Sequence, residues 1–512
     1  MRLMIQLAAA VAATALLLGA LSQTAAAQEA GASPSEPPPA AAADAQAAPA
    51  VTPDAGSPPA GTPDAGSPPA GTPDAGSPPV GTADAGSPPA GTPDRGKSHV
   101  WWAKTYGGTG FDQFDSVSAT SDGGLIAAGR SSSSDGDAEG NRGLTDAWIL
   151  KLDKDGAVQW KRSLGGSGVD WAGAVREVPF GGYLVAGGTT ITDGDFEGEG
   201  DDDGNLKAWA ASLDEGGNTR WVKILLPGKA WAAADMTVQS GEGIIVTGSA
   251  RVAPGGDDCG TGQGGTIMRS VRISQDGEVS EAGCRRLDPG PEWPAVTSGI
   301  DGKSYVGWVA YMLDSPNMDE KASIEAAGPD GKLLWTLPLE GPDNRGSMVP
   351  AGLTAASDGL LATGSFLLVG PQARLMFPWL SLIGPDGKPR WDAILGELPQ
   401  GRLNRATEAP GSLFAAGGTR RGGDMDEGTV NLLAVAVDSG TGKVIWSASL
   451  GGSGDDLAES VTTLMDGGLV AAGRTDSTDW DLAERGKDAE SGPAENDEKP
   501  ADTDGWIVKF RP

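Results

Sequence analysis

The chain has 512 residues, with 80 glycines, 37 prolines and 16 tryptophans against 8 phenylalanines and 4 tyrosines. This composition favours a turn-dense β protein joined to a low-complexity segment over a helical protein. The formal net charge of -31 argues against a nucleic-acid partner, because phosphates are bound by basic surfaces. The one histidine, His99, excludes a histidine-dependent triad elsewhere in the chain and a zinc site built from several histidines.

The first 27 residues have the pattern of a secretory signal peptide. Arg2 precedes an apolar run from Leu7 to Leu21, and three small residues, Ala25–Ala27, lie before Gln28. We therefore expect cleavage after these alanines and export of the chain to the periplasm, the cell surface or the medium. A retained membrane anchor is the alternative, although the apolar run is short and diluted by alanine.

The next segment is a low-complexity linker. A ten-residue unit, TPDAGSPPAG, starts at Thr52 and Thr62, with close copies at Thr72 and Thr82. Paired prolines and repeated glycines predict a disordered, extended and solvated spacer, with a polyproline ligand as the alternative. The predicted organisation is a signal peptide at 1–27, a linker at 28–98 and a folded domain at 99–512.

The folded domain is built from an internal repeat. Segments of the form G-G-x-G-x-D are followed by D-G-G-x-x-x-A-G and then by D-G-x-x-x-W. The closing tryptophans recur about every 57 residues, with one gap of double length near Cys284. They are Trp102, Trp160, Trp221, Trp335, Trp391 and Trp446. Seven units fill the chain to Pro512.

Each unit contains four short β-patterned runs separated by glycine or Asp-Gly turns, which is typical of a β-propeller blade. In the first unit these runs are 115–120, 125–130, 147–152 and 158–164. The seventh unit ends after its third strand, Trp506–Phe510, and the domain begins with an unpaired fourth-type strand, Val100–Tyr106. Pairing these two ends would close the ring and remove its open edges. We therefore predict an all-β, seven-bladed propeller with four-stranded blades, closed by its N-terminal strand.

One copy of the repeat, AVDSGTGKVIW at 436–446, resembles the A-x-D-x-x-T-G-K-x-x-W repeat of pyrroloquinoline-quinone-type propellers. The GGSGxD and DGGxxxAG units look like the repeats of secreted bacterial propellers. The resemblance covers about residues 99–512 and implies the propeller fold. In quinoprotein dehydrogenases of this type a disulfide between adjacent cysteines covers the cofactor. Cys259 and Cys284 are not adjacent, so the chain departs from that pattern.

Two loops between the second and third strands of their blades alternate acidic residues with glycine. Calcium takes about six to eight oxygen ligands, and such alternation lets side chains converge on one ion. The calcium candidates are Asp135, Asp137, Glu139, Asn141, Asp193, Asp195, Glu197 and Glu199. Further acidic runs in units six and seven predict one acidic arc on one face of the ring. The alternative is that these loops are solvated and keep an exported protein soluble.

Other residues are predicted from their place in the repeat. The aspartates of G-G-x-G-x-D and two tryptophans outside the period are ligand-contact candidates: Asp112, Asp170, Asp456, Trp171 and Trp480. We expect the periodic tryptophans to pack between blades rather than to stack on carbohydrate. The only two cysteines, Cys259 and Cys284, should lie near one face of the same blade, and export exposes them to oxidising conditions, so we predict a disulfide.

These patterns favour an exported, non-enzymatic binding or structural module of the cell envelope or extracellular space. We expect a protein or glycan partner, no nucleic acid, no transmembrane segment after signal cleavage, a monomeric state and no cofactor other than calcium. No catalytic residues are predicted. The alternative is a propeller enzyme, either a quinone-dependent oxidoreductase or a polysaccharide-active enzyme that uses paired carboxylates at the ring centre.

Overall fold

The computed structural model describes most of residues 99–511. The gaps are 200–204, 228, 230, 240–242, 254, 256–258, 261, 263, 288–293, 300, 312–319, 330, 343–345, 370–373, 421–428 and 479–502. The predicted signal peptide, the predicted linker and Trp480 lie outside the described residues.

The described chain forms 28 strands. Blade one contains β2 (Asp112–Ala119), β3 (Leu125–Ser131), β4 (Asp146–Leu152) and β5 (Val158–Leu164), and blade two β6 (Asp170–Glu177), β7 (Tyr183–Thr189), β8 (Lys207–Leu213) and β9 (Thr219–Ile224). Blade three contains β10 (Ala232–Gln239), β11 (Gly243–Val252), β12 (Gly265–Ile273) and β13 (Val279–Leu287), and blade four β14 (Ala295–Ser298), β15 (Ser304–Tyr311), β16 (Glu320–Ala327) and β17 (Leu333–Pro338). Blade five contains β18 (Ser347–Ala356), β19 (Gly359–Val369), β20 (Arg374–Ile383) and β21 (Pro389–Ile394), and blade six β22 (Gly401–Ala409), β23 (Ser412–Arg420), β24 (Val430–Asp438) and β25 (Val444–Leu450). Blade seven contains β26 (Asp456–Thr463), β27 (Leu469–Thr475), β28 (Asp504–Phe510) and, from the start of the domain, β1 (Val100–Tyr106).

The seven sheets are antiparallel and four-stranded, and blade seven is completed by the first strand of the domain. β1 pairs with β28 so that Val100 lies opposite Phe510 and Tyr106 lies opposite Gly505. The predicted seven-bladed propeller and its closure by the N-terminal strand are both confirmed. Two short 3-10 turns, Gly136–Ala138 and Gly194–Phe196, occur in the loops of blades one and two. No helix in the described part of the chain has the length and apolar character needed to cross a lipid bilayer.

The core lies between blades, in seven apolar clusters that correspond to the seven joints of the ring. At the closing joint Phe114 stacks on Trp148 at 4.5 Å between ring centroids, and Ile507 of blade seven is buried in the same cluster. The middle strands are buried on both faces, which is why β4 has no exposed residue. Burial of this apolar surface is the main term that holds neighbouring blades together.

The periodic tryptophans pack between blades, as predicted. Trp160 on the outer strand of blade one covers the turn glycine Gly217 of blade two, and its indole N–H donates to the Glu215 carbonyl at 3.0 Å. Trp102, Trp221, Trp335 and Trp391 lie against the corresponding glycines of the blades that follow them. Blade seven has no turn between its third and fourth strands, because its fourth strand is β1. At this place His99 stacks on Trp446 of blade six, with 4.6 Å between the ring centroids.

The joint between blades three and four departs from this pattern. Glu281 stands where the D-G-x-x-x-W pattern has its tryptophan in other blades, and it accepts a hydrogen bond from the buried Arg269 at 2.6 Å. Arg285 of blade three pairs with Glu325 of blade four across the joint. The described apolar cluster has five buried residues, where each other joint has at least eleven: Met268, Leu287, Val296, Val306 and Trp308. Within the described part of this joint, a charged pair accompanies a small apolar cluster.

The predicted disulfide is present beside this joint. It joins Cys259, in the loop between β11 and β12, to Cys284 on β13, with their Cα atoms 5.4 Å apart. A crosslink that closes a loop of this size stabilises a fold by about 3 kcal/mol in the chain-entropy treatment. It ties the outer strand of blade three to its own blade.

Candidate functional site

Two classes of loop share one end of the ring, which we call the upper face. Because the strands of each blade are antiparallel, the loop that enters a blade and the loop between its second and third strands lie at the same end. In blade one these loops are 107–111 and 132–145. All of the described calcium and ligand-contact candidates lie on or just below this face.

The aspartates of the G-G-x-G-x-D segments are buried and tie the two loop classes together. The Oδ2 atom of Asp112 accepts hydrogen bonds from the Gly108 amide and the Ser133 hydroxyl, both at 2.8 Å, while Ser131 donates to Oδ1. Asp456 repeats this arrangement in blade seven with Gly452, Ser477 and Thr475. Burial raises the pKa of both carboxyls. The three aspartates have no exposed surface, and ligand contact by them stays a prediction.

Asp170 of blade two lacks part of this arrangement. Ile191 stands where Ser133 and Ser477 stand in their blades, and the Thr189 hydroxyl donates to the Ile191 carbonyl at 2.8 Å. The Oδ1 atom of Asp170 is left without a donor among the described residues. Burial raises the pKa of Asp170 to about 7, and the nearby Asp146 acts in the same direction.

Asp170 should make the stability of the ring depend on pH near neutrality. A carboxyl whose pKa rises from 3.8 to about 7 on folding favours the folded state fully below pH 3.8 and loses this contribution as pH rises to about 7. The full shift corresponds to roughly 4 kcal/mol as an upper value. We expect Asp170→Asn to reduce the fall in the free energy of unfolding between pH 4 and pH 8, measured by urea titration, because one of the carboxyls with a raised pKa is then absent.

The control for this experiment is Ile191→Ser, which supplies the hydroxyl found in blades one and seven. An added donor to the ionised carboxylate should lower its pKa and reduce the slope without changing the charge of the chain. An unchanged slope in both variants would show that other groups determine the pH dependence.

The acidic loops of blades one and two also form internal contacts. Asp135 Oδ1 accepts the Thr109 amide at 2.8 Å, and Asp193 Oδ1 accepts the Ser167 amide at 2.8 Å. The glycine after each aspartate has a φ near +60°, and a Cβ at either position would collide with a carbonyl of the entering loop, so both features favour glycine. The apolar residue two positions further on, Ala138 or Phe196, is buried in both loops, and Phe196 packs against Trp209. Much of the D-G-D-x-E alternation is therefore explained by the packing of the loop.

The remaining candidates are dispersed. Asp195 pairs with Arg142, Glu139 pairs with Lys161 at 3.0 Å, and the Asn141 Oδ1 accepts the Gly143 amide at 3.1 Å. Among the residues that the structure describes, no three His, Cys, Asp or Glu side chains lie where they could hold one metal ion together. The acidic residues predicted for blade six, and most of those in the blade-seven loop, fall outside the described ranges.

The inner strands surround a central channel, and six of the seven carry a β-bulge at the same register position. A bulge re-aims the side chain of the extra residue. The bulged residues are Asp115, Gly173, Ala234, Ala351, Asn404 and Glu459. They are polar in the adjoining blades six, seven and one, and small in blades two, three and five. This level of the channel is therefore chemically one-sided.

The polar side forms a group that we call the mouth cluster: Gln113, Asp115, Arg130, Arg402, Asn404, Glu459 and Arg474. Gln113 donates to Asp115 Oδ1 at 2.5 Å and accepts from Arg474 at 3.0 Å. Asn404 donates to Glu459 Oε2 at 3.0 Å across the joint between blades six and seven.

Charge is closely balanced within the mouth cluster. Burial raises the pKa of Asp115 and of Glu459, while the three arginines oppose that rise in the Glu459 carboxyl. Two buried atoms, Arg130 Nε and Asn404 Oδ1, have no hydrogen-bond partner within the described structure. Polar atoms buried in this way are candidates for contact with a ligand or an ordered water.

Below the mouth cluster the channel holds a cavity of about 180 Å³. Its lining is mainly hydroxyl groups and three charged side chains, Arg176, Asp235 and Arg405. Gly173, the blade-two counterpart of Asp115, also lines it, which places the bulged level at the edge of the cavity.

Trp171, the other described ligand candidate, lies at the start of β6. Its ring covers Gly188 on the neighbouring strand so closely that a Cβ there would be 2.4 Å from Cζ2. Trp171 is half-buried, and its contact with a ligand stays a prediction. The channel arginines and the bulged residues were not predicted as site residues, since nothing in one repeat identifies which side chain a bulge re-aims.

Together, these features define a seven-bladed propeller with a polar central channel. No protein-family model matches the chain, and no curated protein matches it. Among solved structures, it is similar to a protein of unknown function from Dyadobacter fermentans, with 14% identity, 80% of this chain and 99% of that chain covered, and a TM-score of 0.39. The Pan2 WD40 domain of Neurospora crassa is 8% identical, with coverages of 78% and 89% and a TM-score of 0.40. The periplasmic gluconolactonase PpgL of Pseudomonas aeruginosa is 13% identical, with coverages of 67% and 86% and a TM-score of 0.37. Likenesses this distant assign no function.

Proposed function

We propose that the protein is an exported, non-enzymatic binding module that takes its ligand at the mouth of the central channel. The observation that carries this proposal is the one-sided bulge level, where blades six, seven and one place polar side chains and blades two, three and five place small residues. A polar wall beside an open, small-residue side leaves room for a ligand group and supplies donors for it. Export rests on the N-terminal signal pattern and is tested by finding Gln28 at the start of the mature chain.

The three arginines of the mouth cluster favour an acidic glycan as the ligand, because guanidinium groups recognise carboxylates with two parallel hydrogen bonds. We expect a galacturonic acid tetramer to bind in isothermal titration calorimetry and the neutral cellotetraose not to bind. Arg402→Leu and Arg474→Ser should weaken binding about tenfold or more. Both replacements copy residues found at the equivalent positions of other blades, Leu457 and Ser249, so the variants should fold.

Exposed Arg390, which pairs with Asp358 on blade five, provides the matched control. Arg390→Ala removes the same charge far from the channel and should leave binding unchanged. Equal losses of affinity in all three variants would show that binding depends only on the net charge of the protein. If neither glycan binds, the proposal of an acidic glycan ligand is wrong.

Glycan hydrolysis is a second candidate function, favoured by Asp115 and Glu459, which occupy matching bulge positions on neighbouring inner strands. Burial raises the pKa of both carboxyls, as a general acid requires. Release of reducing sugar from the galacturonic acid tetramer, abolished in Glu459→Gln, would establish this function in place of binding alone.

Membership of the pyrroloquinoline-quinone-like repeat family and calcium loading of the acidic loops are also proposals. The propeller fold supports the first at the level of architecture, and a quinone absorbance after reconstitution would extend it to a cofactor. For calcium, selective binding to the folded chain must raise its melting temperature by mass action. We expect the melting temperature to rise with calcium but not with magnesium, and a chelator to reverse the rise. If the melting temperature does not change, the acidic arc is a solvated surface without bound calcium.

A further inference from the structure

The channel is lined below the bulge by a ring of equivalent residues that is broken in one blade. Three residues after the bulged residue, or at the matching register position of blade four, six inner strands place a serine or threonine, while blade two places Arg176. The hydroxyl-bearing residues are Ser118, Thr237, Thr297, Thr354, Thr407 and Thr462. A single guanidinium in a ring of hydroxyls is a local departure with no counterpart in the fold's repeat.

Two further departures lie beside it, one level higher. Ser116 and Ser460 hold this position in blades one and seven, whereas blade three has Asp235 and blade six has Arg405. Arg176, Asp235 and Arg405, which we call the channel triad, thus come from three different blades and lie on the same cavity.

The triad is loosely paired. Asp235 Oδ1 is 3.4 Å from Arg176 Nη2, and Asp235 Oδ2 is 3.9 Å from Arg405 Nη1. Asp235 is better satisfied by the Thr297 hydroxyl at 2.5 Å and the Met236 amide at 2.9 Å. Charge-assisted pairs that are fully formed have shorter distances, near 2.8 Å. One carboxylate therefore stands between two guanidiniums without saturating either.

The two guanidiniums leave donor capacity for another group. Arg176 donates to the Val175 carbonyl at 2.8 Å and to the Ser116 hydroxyl at 3.4 Å, and Arg405 donates to the Leu353 carbonyl at 2.6 Å. Each guanidinium has five N–H donors, so these bonds and the long contacts to Asp235 use only part of them. The Thr354 hydroxyl, which also lines the cavity, has no partner among the described residues.

Charge and volume limit what could occupy this space. With two arginines and one aspartate the triad has a net positive charge, in a chain whose overall charge is -31. A cavity of about 180 Å³ has the volume of about six water molecules at their liquid density. A small oxyanion with hydroxyl groups fits both the charge and the hydroxyl lining.

We propose that the channel triad binds a small oxyanion, a hydroxycarboxylate or phosphate, between Arg176 and Arg405, with Asp235 as an internal competitor for the same guanidiniums. This inference names a ligand class for the channel and rests on the proposed role of the channel as a binding site. It concerns residues separate from the mouth cluster, so the two can be tested apart.

The test is isothermal titration calorimetry of the full chain at low ionic strength with malate, inorganic phosphate and the uncharged malamide. Arg176→Thr and Arg405→Ser replace each arginine with a residue already present at the equivalent position of other blades, and both should weaken malate binding about tenfold or more. Asp235→Asn should tighten it by a similar factor, because the competing negative charge is removed. A merely structural triad would not give this opposite sign.

Each outcome decides between these ideas. Binding of phosphate rather than malate, with the same variant pattern, identifies phosphate as the ligand and supports the site. Equal affinities in wild type, Arg405→Ser and Asp235→Asn would overturn it. Loss of malate binding in Arg402→Leu alone would place the oxyanion at the mouth cluster, which rejects the triad while leaving the proposed function intact. Retention of the triad pattern without any glycan binding would reject only the acidic-glycan proposal.

Discussion

A chain that begins at Gly107, and so lacks β1, is expected to show no cooperative unfolding transition. Without β1 the edge of β28 loses its partner, and Trp102 no longer covers the Gly156 turn of blade one. Tyr106, which is buried and donates to the Gly156 carbonyl at 2.7 Å, is also lost. The joint between blades seven and one would then be open, at a cost above about 5 kcal/mol, which is comparable with the stability of many domains.

The matched control for this truncation begins at Ser98 and keeps the whole strand. We expect its melting temperature to equal that of the chain starting at Gln28, because the segment between them has little apolar surface to bury. A cooperative transition for the Gly107 chain, at a similar temperature in differential scanning calorimetry, would contradict the closure described above.

Gly473→Ala should produce a large loss of stability although Gly473 lies outside the apolar clusters. Gly473 lies under the bulge of β26, where a Cβ would be 1.9 Å from the Leu457 carbonyl oxygen and 2.9 Å from the Ala458 Cα. Both neighbours are backbone atoms, so relief requires the bulge to move. We expect a loss of about 3 kcal/mol in the free energy of unfolding, measured by urea titration.

The same substitution also tests how the channel is formed. If the bulge moves, the Glu459 side chain that it re-aims should move as well, and ligand binding at the mouth cluster should fall together with stability. Gly396→Ala is the matched control, because nothing lies within 4 Å of the position that its Cβ would take. A neutral result at both positions would show that the bulge adapts without cost.

The architecture could be predicted because its signals are periodic. Tryptophans and Asp-Gly turns recur in each unit, and the incomplete first and last units imply closure. The disulfide followed from two cysteines in one blade. The predicted strand boundaries differ little from those of the structure. The first inner strand begins at Asp112 rather than at 115, since it also includes the residues before the bulge at Asp115.

The channel could not be predicted in the same way. Arg176, Asp235 and Arg405 are far apart in sequence and each replaces a small or hydroxyl residue in an otherwise ordinary strand. They become a group only when the ring brings the inner strands together. Conversely, the D-G-D runs have the spacing of a calcium loop, but Asp135 and Asp193 accept amide hydrogen bonds from the entering loop. Periodicity identifies what the blades share, whereas the site is built from what they do not share.

The small apolar cluster at the joint between blades three and four has a consequence for local opening of the ring in the native state. A closed ring must separate at one joint before any blade can detach, and we expect this to be the joint whose apolar cluster is smallest among the described residues. Amide protons of β14 should then exchange with solvent earlier than those of the inner strands at other joints. The Cys259–Cys284 crosslink keeps β13 attached to its own blade while this happens. The ring would therefore open reversibly at this one joint, and β13 would not detach and become accessible to proteases.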